Sequence, residues 1–254
     1  AMGCNPGEWY TLEDLLYDLL LPSDNAAALA IGRHIAGSPQ AFVDLMNARV
    51  AEWGLRDTHF ANPHGLDNPQ QYSTARDLAQ IALHCLSNPQ FAAIVSVPER
   101  QVGSRTLKNS NELLGSYDGA EGVKTGTTDE AGQCLVSLAS RPTGRVLCVV
   151  LGSSDRYRDS RVLLDHYFNN YYSLALVLGP KGLNRVYRPD GREAVLIVRE
   201  RRYVFLPEWQ LSWLRLVRDS REQEVGDGSG PVGSVRFSIG PTPVAELPVY
   251  MSAP

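Results

Sequence analysis

The 254-residue sequence has little that would mark a metal centre, a membrane span or a nucleic-acid partner. Its four cysteines (Cys4, Cys85, Cys134, Cys148) show no Cys-x-x-Cys spacing, and its five histidines form no His-Glu-x-x-His pair, so neither a metal nor another cofactor is expected. Cys134 and Cys148 lie in apolar, strand-like runs, which predicts buried free thiols. Lys and Arg (24) are fewer than Asp and Glu (28), whereas a nucleic-acid binder needs a basic excess. No apolar run approaches the roughly 18 to 20 residues that span a bilayer. The first six residues carry neither the charged nor the apolar region of a signal peptide. A phosphate-binding loop is excluded as well, because valine, not glycine, precedes Lys124.

What is present is ordinary globular sequence, 43% hydrophobic and 20% charged, long enough for two moderate domains. The periodicity predicts helices over 9–20 with Thr11 as N-cap, over 26–36, over 40–53 with Phe42, Leu45, Met46 and Val50 on one face, and over 75–86. A short helix is expected over 89–95 and extended chain over 97–109. Two or three adjacent strands are expected over 122–152, then a helix over 156–172 whose less polar face carries Val162, Leu163, His166, Tyr167 and Tyr171. Beyond residue 184 the pattern changes to short strands (185–187, 194–199, 201–206, 211–218, 232–239, 245–251) separated by turns at Gly191, Gly226–Gly230 and Gly240-Pro241, a small all-β unit. Domains are therefore expected at 1–173 and 184–254.

Two stretches hold candidate chemistry. Gly122-Val123-Lys124-Thr125-Gly126-Thr127-Thr128 places a cation and hydroxyls on a strand between glycines, which suits a carboxylate cradle; alone, it reads first as a solvated hairpin with a surface lysine. Ser23-Asp24-Asn25 opens a helix and alone reads as an N-cap. Their order, with Phe60-Ala61-Asn62-Pro63-His64-Gly65-Leu66, Tyr72-Ser73-Thr74-Ala75-Arg76-Asp77-Leu78 and Asn109-Ser110-Asn111-Glu112-Leu113-Leu114 between them, is far more specific.

Taken together with Leu19–Ala27 and Phe42–Asn47, these segments resemble the serine-type D-alanyl-D-alanine carboxypeptidases, the low-molecular-mass penicillin-binding proteins. The resemblance covers nearly the whole chain. It implies an α/β (α+β) β-lactamase/transpeptidase-like domain, here N-terminally incomplete, followed by a small all-β domain. It also implies removal of the terminal D-alanine of peptidoglycan stem peptides through an acyl-enzyme. Ser23 and Asn25 match the family's Ser-x-Asn motif, with Ser23 relaying protons and Asn25 binding the substrate amide. Lys124, Thr125 and Gly126 match Lys-Thr-Gly: lysine supplies positive potential, threonine holds the substrate carboxylate, and Thr127 adjoins them. An arginine near that carboxylate is expected at Arg156 or, two residues on, at Arg158.

One family motif has no counterpart. No serine in the chain is followed by lysine three positions later. Truncation upstream is the expected cause, with the upstream part as a separate fragment, or a natural non-catalytic peptidoglycan-peptide-binding relative, as the alternatives. A chain without that nucleophile is expected to be inactive and to form no covalent adduct with β-lactams, which the family binds. Loss of a central helix would expose the alanine-rich helix after Asn25 and leave strand edges unpaired, which predicts self-association. The family works outside the cytoplasmic membrane, and the sequence shows neither a signal peptide nor an anchoring helix.

Overall fold

The computed structural model describes residues 7–178, 184–188, 190–219 and 230–252. Cys4, Ala1, Met2 and most of the Gly226–Gly230 turn lie outside them. The chain divides into two compact units, Ala1–Tyr167 and Phe168–Pro254.

The first unit opens with five helices: α1 (Leu12–Leu20), α2 (Asn25–Ala36), α3 (Pro39–Glu52), α4 (Ala75–Leu86) and α5 (Pro89–Val95). Each starts at a side-chain cap: Thr11, Asp24, Ser38, Thr74 and Asn88 accept hydrogen bonds from the otherwise unpaired N–H groups of the first turn. A hairpin of β1 (Glu99–Val102) and β2 (Arg105–Lys108) follows. Next comes an antiparallel sheet in the order β3-β4-β5, built from Ala120–Thr128, Gly132–Arg141 and Gly144–Ser153. Helix α6 (Arg156–Asn170) then crosses from the first unit into the second.

The alanine-rich face of α2 is not exposed, contrary to expectation. Ala27, Ala28, Ile31 and Gly32 are buried, and α2 packs between α1 and α3. Small side chains permit that close approach: a Cβ on Gly32 would stand 3.1 Å from Phe42 Cδ1. On α3 the buried residues are Val43 and Val50, while the expected core residue Leu45 is half exposed. Helix α6 also differs from expectation. Its buried residues are Ser160, Leu164 and Phe168, spaced by four, and Val162 and Leu163 lie open. The helix stops at Asn170 rather than Tyr172, because two asparagines end it and two β-prone tyrosines begin a strand.

That strand, β6 (Tyr171–Ala175), pairs with β9 (Tyr203–Pro207) in the second unit. The remaining strands, β7 (Arg185–Tyr187), β8 (Glu193–Ile197), β10 (Leu214–Asp219), β11 (Gly233–Ile239) and β12 (Thr242–Ser252), form one antiparallel sheet ordered β10-β11-β12-β8-β7. Leu176, Leu196, Val235, Phe237, Leu247 and Val249 make its core. The strand expected from Leu211 begins only at Leu214, since residues 208–211 form a helical turn, α7 (Glu208–Leu211). Cys148 is buried as expected, Cys134 only partly, and both are free thiols. Among the described residues no helix is long and apolar enough to cross a membrane, and no three or more His, Cys, Asp or Glu side chains gather as they would around a metal ion.

Candidate active site

The two candidate stretches are held by different parts of the first unit. Leu21 is fully buried beside Ile94 and Leu107, which anchors the loop leading to Ser23. From there the chain alternates: Ser23 is exposed, Asp24 buried, Asn25 exposed. Asp24 is the N-cap, accepting from Ala26 N at 2.6 Å and Ala27 N at 3.1 Å. Capping therefore consumes neither Ser23 nor Asn25. Ser23 is the only described non-glycine residue with positive φ, at 66°. A serine in that region carries a local strain of order 1 kcal/mol, which the cap and the buried leucine hold in place.

Strand β3 pairs with β4 in the register Lys124↔Val136, Thr125↔Leu135, Gly126↔Cys134 and Thr127↔Gln133. The two glycines of the motif serve different ends. A Cβ on Gly122 would meet the Val95 carbonyl oxygen at 2.9 Å, and its φ is 126°, so glycine is needed there for packing against α5, not for a ligand. Gly126 is exposed, and a Cβ on it would find only Cys134 Cβ, at 3.9 Å. That position is open to an approaching molecule.

Lys124 donates from Nζ to the Thr125 carbonyl at 2.8 Å. Burial first, then the positive charge of Arg156, pull its pKa from the usual 10.5 down to about 8. Arg156 begins α6 and reaches back across the sheet: Nη1 donates to Gly126 O at 2.7 Å and to Cys134 O at 3.2 Å, bracing the paired strands. Its Nε is buried without a hydrogen-bond partner, so the guanidinium keeps donor capacity. Arg158 is exposed, and the structure records only its backbone N–H, donating to Asp155. Thr127 is exposed beside Gly126.

The structure thus brings Lys124, Thr125, Gly126 and Arg156 into one cluster. The Ser23 loop joins it through Ser110, a residue to which the sequence reading assigned no role. Ser110 N and Oγ both donate toward Leu21 O, at 3.0 and 3.1 Å, while Oγ lies 2.5 Å from Thr125 Oγ1. Tyr157, next to Arg156, donates its hydroxyl to Ser110 O. Ser110 and Leu21 are 89 residues apart in sequence, and no local pattern announces such a contact.

Comparison with known proteins places the chain among relatives. The D-alanyl-D-alanine carboxypeptidase family matches residues 1–155. The chain is 30% identical to D-alanyl-D-alanine carboxypeptidase DacC of Escherichia coli over 265 residues, covering 99% of this chain and 65% of the relative. It is 36% identical to DacF of Bacillus subtilis over 174 residues, covering 65% and 45%. The chain thus spans about half to two thirds of the length of these relatives. Among solved structures, penicillin binding protein 6B of E. coli superposes with a TM-score of 0.76 at 26% identity, covering 97% of this chain and 71% of that one. Penicillin binding protein 5 of Haemophilus influenzae gives 0.70 at 28%, covering 94% and 73%. With a family match over more than half its length, the chain belongs to the D-alanyl-D-alanine carboxypeptidases.

Proposed function

We propose that the chain carries the substrate-binding half of a serine-type D-Ala-D-Ala carboxypeptidase of peptidoglycan metabolism. The carrying observation is the cluster of a half-buried, depressed-pKa Lys124, the Thr125 hydroxyl, an open Gly126 and Arg156. Thr125 and Thr127 alternate onto one face of the strand on either side of Gly126, whose carbonyl accepts from Arg156, a setting suited to a terminal carboxylate. In the reaction, Lys124 supplies positive potential, Thr125 donates to the carboxylate, and Arg156 adds charge from the helix start. Asn25 holds the substrate amide, and Ser23 relays the proton to the departing D-alanine amine. Nothing in these 254 residues provides the Ser-x-x-Lys nucleophile, so the chain by itself binds the stem peptide without cleaving it. That absence also favours a second reading, a non-catalytic relative that binds the same peptide; an in-frame Ser-x-x-Lys in the DNA upstream of Met2 decides against it.

The work of such a protein is extracytoplasmic, on the cell-wall side of the membrane. We expect the chain to self-associate through β5, an apolar strand paired only with β4 among the described residues. A monomeric mass by light scattering would reject that expectation. The functional test is isothermal titration with an N-acylated peptide ending in D-Ala-D-Ala, as free acid and as C-terminal amide. A preference for the acid supports the reading, and equal affinity overturns it. Intact mass after incubation with labelled penicillin is expected to be unchanged; an adduct would disprove the lack of a nucleophile.

A further inference from the structure

We infer that Ser110 is a positioning residue that turns the Thr125 hydroxyl into a hydrogen-bond donor toward the substrate carboxylate. This rests on the carboxypeptidase reading above. Thr125 is nearly buried, and its Oγ1 lies 2.5 Å from Ser110 Oγ, close enough that one of the two hydroxyls donates to the other. Each hydroxyl owns one proton. If Thr125 donates to Ser110, its proton is spent inward and only lone pairs face the ligand. An ionised carboxylate, which only accepts, would meet those lone pairs unfavourably. If Ser110 donates to Thr125, the Thr125 proton is free for the carboxylate.

The surroundings of Ser110 make the second arrangement accessible. In the resting structure Ser110 Oγ also lies 3.1 Å from Leu21 O, an acceptor for its proton. That same carbonyl is already served by Ser110 N–H at 3.0 Å. Swinging the Ser110 proton to Thr125 therefore leaves no buried carbonyl unpaired, and the usual penalty for an orphaned acceptor does not arise. The result is a relay, Ser110 Oγ–H to Thr125 Oγ1–H to carboxylate, in which each bond strengthens the next.

The backbone of Ser110 is fixed independently of this exchange. Tyr157 donates its hydroxyl to Ser110 O, and Asn109 is tied by Nδ2 to Val95 O and Val97 O at 3.2 and 3.1 Å. The side chain can thus reorient while its Cα stays put. Ser110 also touches, through one residue, all three parts of the site: Leu21 ahead of Ser23, Thr125 beside Lys124, and Tyr157 beside Arg156.

The test titrates the whole chain and its Ser110→Ala and Ser110→Thr variants with the N-acylated D-Ala-D-Ala peptide, as free acid and as amide. Ser110→Ala leaves Thr125 its proton but removes the donor that aims and polarises that hydroxyl, so acid binding is expected to weaken by about 3- to 10-fold, on the order of one net hydrogen bond. Amide binding should change little, and Ser110→Thr, which keeps the hydroxyl, should restore acid affinity. Acid binding that is unchanged or tighter in Ser110→Ala overturns the proposal, as does an equal loss for acid and amide, which marks a merely structural role. If Ser110→Ala loses its thermal unfolding transition, Ser110→Cys carries the test with a near-isosteric but weaker donor. Selective loss of acid affinity there supports the relay, and its retention refutes it. Should the unsubstituted chain bind acid and amide alike, the carboxypeptidase reading fails first, separately from the role of Ser110.

Discussion

Lys124 offers the sharpest test of the site's electrostatics. Its pKa in the folded chain is about 8 against 10.5 when unperturbed, because burial and Arg156 both disfavour its charge. Below about pH 8 the folded state must carry that charge where it is poorly solvated, so the folded state is destabilised there by on the order of 3 kcal/mol relative to an ordinary lysine. Between about pH 8 and 10.5 the unfolded chain binds a proton at this site that the folded chain has released. Stability contributed by the site therefore rises with pH over that window. Going from about pH 7 to about pH 9.5, the expected gain is about 2 kcal/mol. The assay is urea unfolding of the chain and of Lys124→Met at both pH values, followed by a signal from the first unit. Subtracting the variant removes every other titrating group. The variant should be more stable at about pH 7 and lack the 2 kcal/mol rise, roughly, that the unsubstituted chain shows. Parallel pH profiles for the two proteins would refute the claim that Lys124 is half-buried with a depressed pKa.

Three further outcomes follow from packing. Gly122→Ala places a Cβ 2.9 Å from a backbone oxygen at a φ of 126°, and should destabilise the first unit by about 2 kcal/mol or more, read by denaturant midpoint. Leu164→Ala should cost about 2–5 kcal/mol, while Val162→Ser, on the open side of the same helix, should stay within about 0.5 kcal/mol; similar costs would refute the assigned face of α6. Asp24→Ala, which removes the α2 cap, should cost about 1 kcal/mol and lower the helical circular dichroism signal on heating.

Local chemistry was legible where the cause is local. Thr11 as a cap, α4 at Ala75–Leu86 and α5 at Pro89–Val95 follow from caps, prolines and 3.6-residue spacing, and all are where the sequence places them. The face of α6 was not legible. Val162 and Leu163 are as apolar as the buried Leu164, yet the buried row runs through Ser160, a polar residue that hydrophobicity passes over. Exposure of Val162 and Leu163 depends on what the helix packs against, which the helix sequence does not encode. The end of α6 was misplaced for a related reason: Tyr171 and Tyr172 suit a helix by amphipathic pattern, and their pairing with Pro207 and Leu206 is a long-range fact. In the site, the Lys-Thr-Gly and Ser-x-Asn segments were visible because their residue types are rare in that order. Ser110 was not, since a serine between asparagines looks like any loop.

The pairing of Lys124 with Arg156 sets a final expectation. Two cations placed close enough for one to lower the pKa of the other raise the free energy of the empty site, and among the described residues no carboxylate offsets it at Lys124. An anionic ligand would relieve that repulsion, so binding a carboxylate must raise the Lys124 pKa again and draw in a proton. At about pH 8, where Lys124 is about half protonated, uptake should approach half a proton per bound peptide; at about pH 6, where it is already charged, uptake from this group should vanish. Titration of the acid peptide in buffers of different ionisation enthalpy measures this directly. The apparent binding heat should vary with buffer at the higher pH and not at the lower. Arg156→Met, which removes the neighbouring charge, should reduce the uptake at pH 8, because Lys124 would then start more fully protonated. Buffer-independent heats at both pH values would show that the carboxylate does not bind beside Lys124, and the cradle would have to be sought elsewhere.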